Sequence, residues 1–308
     1  MGNEGIILAK RSLEDVLRTD SSLTSLLGGV RRSMESVGKR FKRYEIEKLG
    51  EKVINSAFDH KHLFGATIIS IDGLKASGKS TLRKKLQSDL ENIGIKTYFF
   101  KESHHADHDA KKKWTEFRRN YGYGGDPLES VALVSEVRVS AFARPEVQSH
   151  FQDSRTVVLY ERTYIYTLAC ALASALTEYN LDRPDIYPFM DEILDRMNGT
   201  YVIPDLSLLL QVGYKTMSRR VRGREKNIGR EEPMPLPPRN VGRALFQLGE
   251  NSSFGEGTIL PNIVRIETGD KVQWSDSARC AFFELVYDRA KSEVYNKLRE
   301  KGFPIDDK

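Results

Sequence analysis

Residues 66–71 (Ala66, Thr67, Ile68, Ile69, Ser70, Ile71) form a short apolar, β-branched run that stops at Asp72-Gly73. A run of this kind bounded by turn residues predicts a buried strand. The pattern returns at Thr97–Phe100, Thr156–Tyr160, Leu206–Val212 and Ile263–Ile266. Helical stretches are predicted between and after the strands: from Ser80 onward, over Leu128–Phe151, over Tyr164–Leu176 and over Ser275–Leu298. Strands alternating with helices predict an α/β fold, a parallel sheet flanked by helices. Upstream, Leu23, Leu26, Leu27, Val30, Met34, Val37 and Phe41 step by three or four and draw one apolar stripe, interrupted at Gly28-Gly29. Residues 1–62 are therefore expected to be an N-terminal helical extension and residues 63–308 one α/β domain.

The turn after the first predicted strand is Gly73-Leu74-Lys75-Ala76-Ser77-Gly78-Lys79-Ser80, a full match to G-x-x-x-x-G-K-[ST]. A strand before it and a helix after it supply the required context. Glycines at 73 and 78 permit backbone angles that other residues resist. The N–H groups of the loop (Gly73, Lys75, Ala76, Ser77, Gly78, with Thr81 beginning the next turn) can converge on phosphate oxygens, and the helix start adds its positive end. Lys79 is expected to reach the β- and γ-phosphates of ATP and Ser80 to ligate Mg²⁺. The loop alone names no acceptor. A guanine-reading N-K-x-D is absent from the sequence, which argues against a GTPase.

Further chemistry lies beyond the loop. Arg162 follows a predicted strand end, where ligands gather in open α/β sheets; Glu161 either orients it or holds a metal-bound water. Between Tyr214 and Arg230 stand seven basic residues (Lys215, Arg219, Arg220, Arg222, Arg224, Lys226, Arg230) against Glu225 alone. Such a cluster suits phosphate oxygens, or it is a solvated basic helix. His104, His105 and His108 lie in what reads as a loop; their spacing fits no standard metal site, and they border a pocket or face solvent. Trp114, Phe117, Tyr121 and Tyr123 either stack on a base or pack in the core, with Arg118 and Arg119 as nearby candidates for acceptor contact.

Composition narrows the class. Among 308 residues, 39% are hydrophobic and 30% charged, and no run approaches the ~20 apolar residues of a spanning helix, so no membrane partner is expected. Cys170 and Cys280 rule out a disulfide framework and read as buried free thiols, with a cytoplasmic setting implied. Lys plus Arg is 48 against 43 for Asp plus Glu, a net charge of +5. The excess suits either phosphorylated small molecules or nucleic acid. Part of it lies in residues 215–230. Another part, Arg31, Arg32, Lys39, Arg40, Lys42 and Arg43, lies in the N-terminal helices and keeps a nucleic-acid contact as a less favoured alternative.

Several segments in this order resemble the thymidylate kinases and deoxynucleoside kinases. Val158–Ala169 (V-L-Y-E-R-T-Y-I-Y-T-L-A) resembles their D-R-Y or E-R-S segment, Pro204-Asp205-Leu206 with Leu210 their P-D-L strand, and Ala132–Arg138 the helix whose arginine holds the acceptor's phosphate. The resemblance spans residues 63 to about 230. It implies a P-loop kinase that uses ATP and Mg²⁺ to phosphorylate a nucleoside monophosphate, a deoxynucleotide such as dTMP, with a homodimer allowed. Arg138 and Arg162 would hold the acceptor phosphate, and Arg220, Arg222 and Arg224 would be lid arginines. Glu102 would border the substrate, and in a nucleoside kinase it would be the base. The sequence departs from the family at Lys75, where an acid is usual, at Ser103, where Pro is usual, and at Cys170-Ala171, where Tyr-Gln is usual.

Overall fold

The computed structural model describes residues 51–52, 55, 64–121, 126–178, 186–227, 241–242, 244–245, 262–269 and 276–305. Its elements run β1 (Thr67–Gly73), α1 (Lys79–Asn92), β2 (Lys96–Phe100), α2 (Glu102–His105), α3 (His108–Tyr121), α4 (Pro127–Phe142), α5 (Pro145–Gln152), β3 (Thr156–Glu161), α6 (Tyr164–Glu178), α7 (Ile186–Met197), β4 (Leu206–Gln211), α8 (Tyr214–Asn227), β5 (Ile263–Glu267) and α9 (Asp276–Glu300). The stripe at residues 23–41 and its basic flank lie outside the described residues.

The five strands are parallel, in the order β2-β3-β1-β4-β5. The five predicted strands are these five. β1 occupies the centre and all seven of its residues are buried. That explains its near-continuous apolar sequence: both faces meet helices. Ile69 and Ile71 point into a cluster with Leu82, Leu86 and Leu90 of α1 and Ala290, Val294 and Leu298 of α9. Ile68 points the other way, among Phe100, Val158, Tyr160 and the helices α4 and α5. This period-two split makes each strand the middle layer of a three-layer sandwich. Among the described residues this is an α/β P-loop NTPase-type fold.

The sheet order places the site. The chain leaves β1 for the β2 edge, returns to β3 at one side of β1, then crosses to β4 on the other. The C-terminal end of β1 is thus the switch point where an open sheet leaves a crevice. The phosphate loop, α2, and the residues after β3 and β4 all emerge there.

Two local readings are corrected. Leu128–Phe151 is two helices, because Pro145 cannot continue α4 and opens α5 instead, as its first residue. The histidine segment is helical, with His104 and His105 closing α2 and His108 opening α3.

Candidate functional site

The phosphate loop takes the conformation its glycines permit. Gly73 has φ 139° and Gly78 φ 100°. At Gly73 a Cβ would lie 2.4 Å from the Leu210 carbonyl oxygen of the adjacent strand, so no larger residue fits. At Gly78 a Cβ would meet nothing within 4 Å. Ala76 also takes a left-handed φ of 59°, a strained state that recurs at functional turns. Gly78 caps α1 and has no side chain to satisfy the first N–H groups of the helix; the N–H of Thr81 donates to the Gly78 carbonyl at 3.1 Å.

Lys79 is 4% exposed. Its Nζ donates to the carbonyls of Gly73 at 2.9 Å and Leu74 at 2.6 Å. Burial, helped by the positive charge of Arg162, lowers its pKa to about 7. Glu161 and Asp72 pull the other way. Ser80 and Thr81 are exposed at the start of α1, and Lys75 is half-buried on the loop.

Two cavities open at this end of the sheet, the first of them beside the loop. The first, about 410 Å³, is lined by Ala76, Ser77, Gly78 and Thr81, by Arg219 and Arg220 of α8, by Thr268-Gly269 after β5, and by Phe282 and Phe283 of α9. Arg220 clamps its sides, donating from Nη1 to the Ala76 carbonyl at 3.2 Å and from Nη2 to the Thr268 carbonyl at 3.0 Å. Of the other predicted lid arginines, Arg222 is exposed on α8 and the Arg224 side chain lies outside the described residues.

The second cavity, about 170 Å³, lies past the ends of β2 and β3. Lys101, Glu102, Ser103, Glu161 and Arg162 form its floor, Trp114 and Arg118 of α3 one wall, and Tyr166, Thr167 and Cys170 of α6 another. Tyr166 and Cys170, four residues apart on α6, share one helical face, and Arg162 stands just before that helix. The Arg162 guanidinium lies 5.5 Å from the Tyr166 ring, and its Nε is a buried donor without a hydrogen-bond partner. Its backbone is left-handed, with φ 67°, a conformation that costs a bulky residue about 1–3 kcal/mol.

Arg138 is fully buried behind this floor. Its Nε donates to Glu102 Oε1 at 2.5 Å and its Nη2 to Thr167 Oγ1 at 3.0 Å, while Nη1 has no partner. Tyr160 also donates its hydroxyl to Glu102 Oε1. Glu102 therefore meets the cavity as a carboxylate held by two donors, and Arg138 touches Glu102 instead of lining the cavity.

Other expectations resolve as follows. Trp114 and Arg118 reach the second cavity, with the guanidinium 5.3 Å from the indole. Phe117 is buried and Tyr121 is exposed; Tyr123 lies outside the described residues. Cys170 is half-buried at the cavity wall, not sealed in the core as expected, and its thiol pKa is pushed up to about 11 by burial. The Cys280 side chain lies outside the described residues. His105 stacks on Phe100 and His104 meets Phe99 edge-on, and among the described residues no metal-binding cluster of His, Cys, Asp or Glu forms.

Asp72 and its partner Thr163 escaped the sequence reading as a pair. Asp72, between an apolar strand and the loop, is wholly buried, and it accepts from the Thr163 N–H at 2.9 Å, the Thr163 hydroxyl at 2.8 Å and the Ser70 hydroxyl at 3.0 Å. A carboxylate inside an otherwise apolar strand was the available signal. Burial raises its pKa, and the Thr163 and Ser70 hydrogen bonds oppose that shift.

No protein-family model matches this chain, and no curated protein does. Among solved structures, a thymidylate kinase from Candida albicans aligns with TM-score 0.48 and 18% identity, covering 73% of this chain and 93% of that one. A thymidylate kinase from Ehrlichia chaffeensis aligns with TM-score 0.43 and 14% identity, covering 73% and 99%. No described helix is long and apolar enough to cross a membrane.

Proposed function

We propose that this protein is a nucleoside monophosphate kinase, transferring the γ-phosphoryl group of ATP to a deoxynucleotide such as dTMP. The observation that carries the reading is electrostatic. Lys79, at the foot of the donor loop, feels Arg162, Glu161 and Lys101, and all three line the neighbouring cavity. The charged lining of that cavity thus acts on the lysine of the donor loop.

In the transfer, an acceptor phosphate oxygen attacks the γ-phosphorus, and the bond to the β–γ bridging oxygen breaks. ADP leaves with that electron pair. The attacking oxygen is already ionised, so no base is required, and the protein supplies alignment and charge. Lys79 turns from its loop carbonyls toward the incoming phosphates. Arg162 offers its unpartnered Nε to the acceptor phosphate. Arg220, Arg222 and Arg224 on α8 accompany the transferring group as the lid arginines. Gly78 leaves the space over the loop open to phosphate. Ser80 would hold Mg²⁺ together with the donor phosphates, since that ion commonly takes few protein ligands, and the ion would neutralise phosphate charge.

A second reading rests on Glu102. Its carboxylate borders the acceptor cavity, where it could take a proton from a nucleoside hydroxyl. A coupled ADP-release assay over nucleosides and their monophosphates separates the two. Release with monophosphates alone supports the proposal, and release with nucleosides alone makes Glu102 a base. No release with either, accompanied by salt-sensitive DNA or RNA binding, would return the protein to nucleic-acid contact.

A further inference from the structure

We infer that the buried Asp72–Thr163 contact is a positioning brace that forces Arg162 into the acceptor cavity and fixes its distance from the donor loop. The inference rests on the kinase reading for its kinetic consequences, though not for its geometry.

The argument begins with the ladder. β1 and β3 pair in register from Thr67↔Val157 to Ile71↔Glu161. One residue further on, β1 offers the Asp72 side chain in place of the next ladder step. That carboxylate takes both the N–H and the hydroxyl of Thr163. Arg162 is the single residue between two fixed points, Glu161 in the ladder and Thr163 on the carboxylate. The chain crosses that interval through a left-handed residue, φ 67°. Arginine gains nothing intrinsic from this conformation, so its surroundings must hold it there. Its guanidinium is thereby carried over Tyr166 with Nε unpartnered.

The other end of the brace is equally placed. Asp72 precedes Gly73, the first residue of the phosphate loop, and Ser70 on the same strand holds its Oδ2. Asp72 and Thr163 are both fully buried. One carboxylate therefore joins the root of the donor loop to the residue that follows the acceptor arginine. Neither Asp72 nor Thr163 lines either cavity as described, so the pair acts through Arg162.

The experiment uses the full chain and four variants: Asp72→Ala and Thr163→Val to open the brace, Asp72→Asn and Thr163→Ser to preserve it. In Asp72→Asn the amide oxygen can accept from the Thr163 N–H while the amide nitrogen donates to the Thr163 hydroxyl, and a Ser hydroxyl can still donate; Val keeps the N–H contact and loses the hydroxyl one. Expected for both opened variants is a rise of about tenfold in the KM for dTMP and a kcat loss approaching about 100-fold, the scale of an ångström's misplacement. Affinity for a non-hydrolysable ATP analogue should stay unchanged, and both conservative variants should restore wild-type kinetics. Thr163→Val keeps a hydrocarbon of equal shape, so it guards against a folding failure of Asp72→Ala. A substrate-free arm reads the Arg162 Nε–H by NMR, assigned with Arg162→Lys. Its ring-shifted resonance should move in the opened variants and return in the conservative ones. Resonances identical to wild type in both opened variants would overturn the brace, as would equal weakening of both ligands. A wild-type protein that phosphorylates no acceptor would instead overturn the kinase reading, and the NMR arm would still decide the brace.

Discussion

Arg138 and Glu102 form an ion pair at 2.5 Å, with the guanidinium fully buried behind the cavity floor. Removing one member of a buried pair strands the other and typically costs about 3–5 kcal/mol. Arg138→Met should therefore lower unfolding free energy on that scale in urea titration, in addition to any kinetic loss. Glu102→Gln keeps an acceptor oxygen for both donors and should cost less. With a monophosphate acceptor, Glu102→Gln should retain most of its turnover; a loss of about 100-fold or more would identify general-base work.

Lys79 provides the test of the donor site. Lys79→Ala should abolish ADP release while preserving circular dichroism and the unfolding free energy from urea titration to within about 1 kcal/mol. Survival of turnover in this variant would end the kinase proposal.

The same lysine predicts a pH signature. Its folded pKa is near 7, below the unfolded value of about 10.4. Between these limits the unfolded chain binds more protons, so this group makes stability rise with pH from about 7 to about 10. Bound phosphate favours the charged ammonium. ATP binding near pH 8 should therefore take up most of a proton, measured by calorimetry in buffers of different ionisation enthalpy. Lys79→Met should remove both the uptake and the slope.

The two loop glycines should fail differently. In Gly73→Ala the new Cβ meets the Leu210 carbonyl, so the β1–β4 pairing must shift and the melting temperature should fall by several degrees. Gly78→Ala meets no neighbour and pays only for its left-handed backbone, about 1–2 kcal/mol. Gly78 lines the first cavity, so with the added methyl group nucleotide affinity should fall further than stability does.

Arg220 is expected to act on the donor side. Arg220→Met releases the Ala76 and Thr268 carbonyls and should raise the KM for ATP about tenfold, leaving the KM for the acceptor in place.

The strands and the loop were legible because their signals are local. β1 is apolar on both faces, and eight consecutive residues spell the phosphate loop. The helix α3 was not legible. Only Ala110 and Phe117 of its 14 residues are buried, too few to draw a stripe. The site was legible as a set of residues and not as a set of contacts. Glu102 and Arg138 are 36 positions apart, Asp72 and Thr163 are 91 apart, and sequence periodicity carries no information over such spans. Arg138 shows the consequence: its contact with the Glu102 carboxylate could not be read from the sequence.

The position of β1 has a consequence for motion. The donor loop hangs from the strand with a neighbour on each side, and Arg162 hangs from β3, which is likewise flanked. Amide protons in these strands should exchange only through global opening. Among the other cavity walls, α3 has few buried residues and α8 carries exposed charge. These helices can open and close by local fluctuation while the central strands stay shut. Substrates would then enter and leave without disturbing the two groups that must stay aligned.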